Sequence, residues 1–256
     1  LVAAALVAVV VVAIVFVRTS IDELPVYLAD RWFVLDATSM LFLLVIDSVF
    51  LGISVYMSSR VATWQLSSGQ VLARAGLTLA FMVAMNLGVM ANNLLLLWAF
   101  IEATTICAAP LVAQGSTLSP RRVAWHYLLY SSMSLAITLL GILCLTRSAQ
   151  LHGLAIDFAF DAMAGSLPLA IDGWQRLGLA LMLFGLGSKL GLAPLYSWLP
   201  ETYEAAPTST SALLAAVQFN ISIVAVLRVL QVFNGHDTGF VPHELLIMGC
   251  LSLTVA

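Results

Sequence analysis

Lys189 is the only lysine among the ten basic residues of this 256-residue chain, and no other charge lies between Arg176 and Glu201. An ammonium near the centre of a bilayer costs about 2.5–3.5 kcal/mol on insertion scales, so such residues are rare and usually functional. Lysine also gives up its proton when desolvated far more readily than arginine, the type of every other basic residue here. Glu102 is a second deep charge, in the stretch LLLLWAFIEATTICAAPLVA at 94–113. A buried carboxylate needs a cation, water or hydroxyls, and Thr104 and Thr105 are near in sequence. A Glu102–Lys189 pair joined through water would relay protons; the plainer reading is an ion pair holding two helices together.

Four more residues extend this set. His126 lies about one turn inside an apolar segment, and its ordinary pKa of about 6.5 suits proton exchange near neutrality; Ser131, Ser132 and Ser134 follow and can hold water. A merely hydrogen-bonded histidine is the alternative. Asp47 is a further deep acid, either facing the bundle as an accessory carrier or bonding Ser48 and its neighbours. Asn220, near Gln218 and Ser222, can orient water in a proton wire or join helices. Arg228, two turns on, lies near the interface or beside an acid whose charge it favours. Asp36 reads as a helix cap.

Redox and metal chemistry find no ligands. Cys107, Cys144 and Cys250 are far apart and fit neither a disulfide framework nor a Cys-x-x-Cys site. A bis-histidine haem needs a second histidine at matching depth, and His152, His236 and His243 fall in loops or at a segment edge. No cofactor and no metal are expected.

The elements that position these groups follow from composition. Apolar residues make up 62% and charged residues 9%, against about 45–50% and about 25% in soluble domains. Long apolar runs make this an all-α polytopic transmembrane bundle rather than a barrel, a single domain over 1–256. Nothing points to nucleic acid. About eight spans are expected, at 1–17, 36–57, 72–91, 93–114, 123–145, 177–206, 208–232 and from 244 on. Residues 18–35 form a short amphipathic stretch, 91–93 a tight hairpin connection, and 146–175 the longest loop. Arg18 follows the first apolar run, so that run reads as a span, not a signal peptide. Both ends fall in apolar runs, and the chain is expected to be part of a longer protein. Arg60, Arg74, Arg121 and Arg122 on one side balance Arg18, Arg31, Arg147 and Arg176 on the other, so orientation stays open, with a slight lean toward the first set as cytoplasmic.

The segment 177–206 would run about 45 Å as one helix, too long for a single span of modest tilt. Pro194 and Pro200 interrupt it, and Gly185, Gly187 and Gly191 loosen it. A helix broken around Lys189–Pro194 is expected, with Lys189 near the C-terminal end of its first piece, where the helix dipole favours a cation. Discontinuous spans of this kind recur at ion sites in transporters.

Three stretches carry a resemblance: 94–113, AWHYLLYSSMSLAITLLG at 124–141, and GLGSKLGLAPLYSWLPETYEAAPTSTSALLAA at 185–216. Together they resemble the antiporter-like, proton-conducting membrane subunits of respiratory complex I, multi-subunit Na⁺/H⁺ antiporters and membrane-bound hydrogenases. The IEATT run at 101–105, the Ala-Trp-x-Tyr run at 124–127, and Asn220 before Leu227 and Arg228 most resemble hydrogenase-4 component F. The resemblance implies that Glu102 is the fifth-helix glutamate that tunes a neighbouring lysine, and that Lys189 is the proton-carrying lysine of a broken seventh helix. His126 then stands where relatives often carry lysine, and Asn220 replaces an eighth-helix lysine or histidine. The usual Asp-Ala-His is here Glu201-Thr-Tyr203, which removes a histidine at the mouth.

The family fold repeats an inverted five-helix unit; one such half-channel, about 72–232, is expected here. The resemblance further implies a proton-translocating, multi-pass subunit of a respiratory or hydrogenase complex in a prokaryotic inner membrane. It would not be catalytic alone, and its partners would be lipid, other membrane subunits and a peripheral redox arm, of iron–sulfur hydrogenase or dehydrogenase type. A Na⁺/H⁺ antiporter subunit and a non-transporting scaffold are the rival readings.

Overall fold

Polar side chains set where the long helices begin. Asp36 accepts from the Ser39 N–H at 2.7 Å, Ser67 and Gln70 form a reciprocal capping box, and Asn93 accepts from the N–H groups of Leu95 and Leu96. Asp172 accepts from the Gln175 N–H at 2.7 Å. Each satisfies backbone donors that a helix start leaves open. The computed structural model describes residues 1–18, 24–61, 66–115, 119–168, 171–193, 195–233, 239 and 241–255. Its elements in order are α1 (Val2–Arg18), a hairpin of β1 (Val26–Leu28) and β2 (Phe33–Leu35), α2 (Ala37–Arg60), α3 (Ser68–Met90), α4 (Leu94–Val112) and α5 (Pro120–Leu151). There follow α6 (Phe160–Met163), a single 3₁₀ turn, α7 (Gly173–Lys189), α8 (Trp198–Ala205), α9 (Thr208–Leu213), a π turn (Leu214–Gln218), α10 (Phe219–Val232) and α11 (Val241–Val255).

The all-α bundle stands, but the span count is lower than expected. Among the described residues five helices are long and apolar enough to cross a membrane: α2, α3, α4, α5 and the continuous run Thr208–Val232. The apolar runs at either end form helices of 17 and 15 residues, and 177–206 is divided. A tally of apolar runs does not register helix length, and it counts 177–206 as one span even though a break inside it is expected. The loop expected at 146–175 is also shorter, because α5 continues to Leu151. Its polar end is satisfied within the fold: Thr146 donates to the Ile142 carbonyl at 3.0 Å, and buried Ser148 donates to Asp172 at 2.9 Å.

Part of the amphipathic 18–35 stretch is a hairpin, with Val26 opposite Leu35 and Leu28 opposite Phe33. It docks on the α3–α4 turn, where the Asn92 N–H donates to the Trp32 carbonyl at 2.9 Å. The Asn92 carbonyl in turn accepts from the Phe160 N–H at 2.9 Å. This face of the bundle is therefore tied together by the tight 91–93 connection.

α5 and α7 pack backbone to backbone. A Cβ on Gly141 would lie 2.6 Å from the Gly178 carbonyl oxygen, and one on Gly178 would lie 2.8 Å from that of Gly141. A Cβ on Gly185 would collide with the Ser134 carbonyl and the Thr138 hydroxyl. Small residues permit such approach between membrane helices, and here they draw the end of α7 onto the middle of α5.

Candidate proton-relay site

α7 stops at Lys189 for a local reason. Gly191 has φ +74, the left-handed region that favours glycine. Around it the Leu192 N–H donates to the Gly187 carbonyl at 2.9 Å and the Gly191 N–H to the Ser188 carbonyl at 3.1 Å. These are the two bonds of a Schellman motif. The helix therefore ends one turn before Pro194, which lies outside the described residues. The expected break is present, and Gly191 supplies its geometry. Ser188 Oγ and the Leu195 carbonyl, 3.0 Å apart, tie the two sides of the break together, and Ser252 of α11 accepts from the Ala193 N–H at 2.8 Å.

Lys189 is 3% exposed. Its ammonium donates to Thr105 Oγ1 of α4 and to Ser131 Oγ of α5, and those hydroxyl oxygens are 3.5 Å apart. The ring of Tyr127, one helical turn before Ser131, lies with its centroid 6.0 Å from Nζ. Tyr127 OH donates to Gln218 Oε1 at 3.1 Å, and the ring packs on Trp198 of α8 with centroids 5.4 Å apart. Glu102 accepts from Ser132 Oγ at 2.5 Å. Among the described residues Glu102 and Lys189 form no direct ion pair. Around them Glu102 Oε2, Trp198 Nε1 and Gln218 Nε2 are buried without a hydrogen-bond partner. One acceptor and two donors thus line the cluster unmatched, where native interiors match nearly all such atoms.

The remaining candidates separate. His126 is about one-third exposed and meets Glu201 Oε2 at 3.1 Å, so it lies in a part-exposed contact between α5 and α8 rather than in the buried cluster. Glu201 of α8 thus pairs with a histidine from α5. Asn220 does not join the cluster: its amide donates to the Ala216 carbonyl of its own helix at 2.6 Å. The π turn Leu214–Gln218 changes the helical register just before it, and Gln218 is the residue that reaches Tyr127. Arg228 is buried and bidentate to Asp36, at 2.7 and 3.2 Å, with Ser39 Oγ at 2.8 Å. It fastens α10 to the start of α2. Asp47 is buried on α2 and accepts from Asn86 at 2.9 Å; among the described residues no hydrogen bond joins it to Glu102 or Lys189. No group of three or more metal-ligating side chains occurs among the described residues.

In the sequence Tyr127 stood out only as the end of the Ala-Trp-x-Tyr run and Trp198 only within the 185–216 stretch, neither with a place in the relay. A signal for Tyr127 exists: it precedes Ser131 by four residues and so shares its helix face.

A bundle whose broken helix ends on a buried lysine, held by hydroxyls from two neighbours, defines a class of polytopic membrane proteins with a polar interior. Residues 91–256 match the family described as NADH:quinone oxidoreductase/Mrp antiporter, transmembrane, and the chain belongs to that family. It is 26% identical over 206 residues to a hydrogenase-4 component F homolog of Methylacidiphilum infernorum, covering 77% of this chain and 43% of that protein. It is 27% identical over 224 residues to a Na⁺/H⁺ antiporter subunit of Bacillus subtilis, covering 84% of this chain and 42% of that protein. The fold is similar to a chain of respiratory complex I from Thermus thermophilus, with a TM-score of 0.75 at 21% identity over 99% of this chain and 50% of that one. The chain thus spans half or less of the length of each.

Proposed function

We propose that this chain is a proton-translocating membrane subunit of a multi-subunit respiratory or hydrogenase complex in a prokaryotic inner membrane. In this reading Glu102 and Lys189 work as a coupled pair across the hydroxyls of α5. The observation that carries it is the choice of partners: the buried ammonium of Lys189 is bonded to Thr105 and Ser131, not to a carboxylate. Loss of a proton from a lysine in a direct buried ion pair strands the opposing charge, which costs several kcal/mol. Hydroxyls both donate and accept, so they follow a change of protonation by rotating. Glu102 modulates the lysine through space. Unit charges about 6 Å apart interact by roughly 3 kcal/mol at an effective dielectric of about 20, enough for a shift in the surrounding field to load or unload the lysine. Redox chemistry in a peripheral arm, iron–sulfur hydrogenase or dehydrogenase in kind, would supply that shift through neighbouring membrane subunits.

Water bonded to Glu102 Oε2, Trp198 Nε1 and Gln218 Nε2 would complete the route, with His126 and Glu201 at one mouth and Tyr127 and Gln218 leading toward α10. Translocation measured in inverted membrane vesicles tests the reading: Lys189→Met is expected to abolish it while the chain still assembles. Undiminished proton movement in that variant overturns it.

The similarity to the Bacillus subtilis Na⁺/H⁺ antiporter subunit keeps a second reading, in which the same helices exchange sodium for protons. Transport that requires sodium in those vesicles decides for it.

A further inference from the structure

Away from the lysine cluster, α2 and α3 meet through Asp47 and Asn86. Asp47 is fully buried, and the Asn86 amide nitrogen donates to its Oδ1 at 2.9 Å. The other two oxygens of this contact, Asp47 Oδ2 and Asn86 Oδ1, are both buried and both without a donor. With Asp47 ionised, the contact therefore holds two unmatched acceptors and one uncompensated charge in an apolar interior, the arrangement that buried polar groups avoid.

Among the described residues no ion pair relieves it. From α3, Arg74 reaches Ser209; from α10, Arg228 is taken by Asp36 and Ser39. α1 carries only Arg18, at its far end, β2 carries no ionisable side chain, and the π turn carries the neutral Gln218. Asn86 supplies the one hydrogen bond that Asp47 receives among the described residues.

A single proton removes the whole imbalance. On Oδ2 it turns an acceptor into a donor and cancels the charge, and the amide oxygen of Asn86, on the residue already bonded to Asp47, is a buried acceptor without a donor. A carboxylic acid and a primary amide then pair through two parallel hydrogen bonds, N–H to Oδ1 and O–H to the amide oxygen. We propose that Asp47 and Asn86 form a second proton-binding site, separate from Lys189, which holds one proton in the resting protein and clasps α2 to α3 while it is occupied. Two oxygens are too few to replace the shell of a sodium ion. Ser54, the next unmatched hydroxyl on this face of α2, is seven residues on and about 10 Å away along the helix.

Infrared spectroscopy of the protein in its native membrane assembly reads the proton directly. The carbonyl stretch of a protonated carboxylic acid is expected at neutral pH, moved by deuterium exchange, unaffected by sodium, and lost in Asp47→Asn. That substitution keeps shape and neutrality. Asn86→Ala, read with Asp47 intact, is expected to shift the same band without removing it, and it decides the matter if Asp47→Asn does not assemble. The proposal is overturned if Asp47→Asn removes only carboxylate bands, if Asn86→Ala leaves the acid band unmoved, or if sodium displaces it.

Discussion

Lys189 and Glu102 are bonded to consecutive residues of one helix, Ser131 and Ser132 of α5, and not to each other. Consecutive helical residues point about 100° apart, so α5 presents one hydroxyl to α7 and the next to α4. The lysine and the glutamate thus meet across a shared rail. Thr105 closes the arrangement from the glutamate's own helix, three residues beyond Glu102, and bonds the lysine too.

This geometry separates the two serines in their effects. Ser132→Ala takes from Glu102 its hydrogen bond and leaves both carboxylate oxygens without a protein donor, at a cost of about 1–3 kcal/mol. Ser131→Ala leaves Lys189 bonded to Thr105, so the expected loss is smaller. Translocation rates in vesicles are expected to fall further in Ser132→Ala than in Ser131→Ala, and Thr105→Val combined with Ser131→Ala is expected to fall furthest. Equal rates in all three would remove the hydroxyls from the proposed route.

Lys189→Arg separates charge from proton exchange. Arginine keeps the positive charge at the end of α7 but stays protonated in proteins, and its planar fork does not fit two hydroxyls set for an ammonium. Assembly is expected to survive, while translocation falls on the order of 100-fold, the scale of a lost proton-transfer group. A variant that still moves protons would make Lys189 a structural charge, not a carrier.

How far these features were legible in the sequence varies with their physical cause. Lys189 and Glu102 stood out because charge in an apolar run is costly wherever the helices lie, and the cap at Asp36 acts within a few residues of itself. Distant partners were not legible. Nothing local to Arg228 names Asp36, and nothing local to His126 names Glu201, because those pairs exist only once the bundle has closed. The change from Asn220 to Gln218 depends on a π turn, a register shift that a regular 3.6-residue reading does not contain. The expected break in 177–206 was legible from its glycines and prolines, but the left-handed turn at Gly191 became visible only with the backbone.

Gly191→Ala tests that turn. A side chain in the left-handed region costs about 1–2 kcal/mol, and the added Cβ would lie 2.8 Å from Leu199 Cδ1. A drop in thermal stability of about that size is expected, together with slower translocation, because the end of α7 sets where Nζ points. Chemical denaturation of the purified protein reads the first effect and vesicle transport the second; wild-type values in both would show that the turn is not strained.

The network at Asp161 predicts a pH dependence away from the relay. Partial burial raises the pKa of this carboxyl, but hydrogen bonds from Arg31 and Asn92 outweigh it and hold the group below its ordinary value of 3.8. A carboxylate depressed in the folded state contributes stability that is present above the unfolded value and lost as pH falls through the folded one. The bond from Arg31, together with that from Asn92 at 3.2 Å, joins the hairpin, the α3–α4 turn and α6 on one face of the bundle. Acidification below 3.8 is therefore expected to loosen the hairpin first, seen as faster amide hydrogen exchange at 26–35 while the long helices stay protected. Asp161→Asn is expected to show that faster exchange already at neutral pH and to lose its dependence on acid. If wild type and Asp161→Asn respond alike to acid, the hairpin is held by its backbone bond to Asn92 and not by the charge.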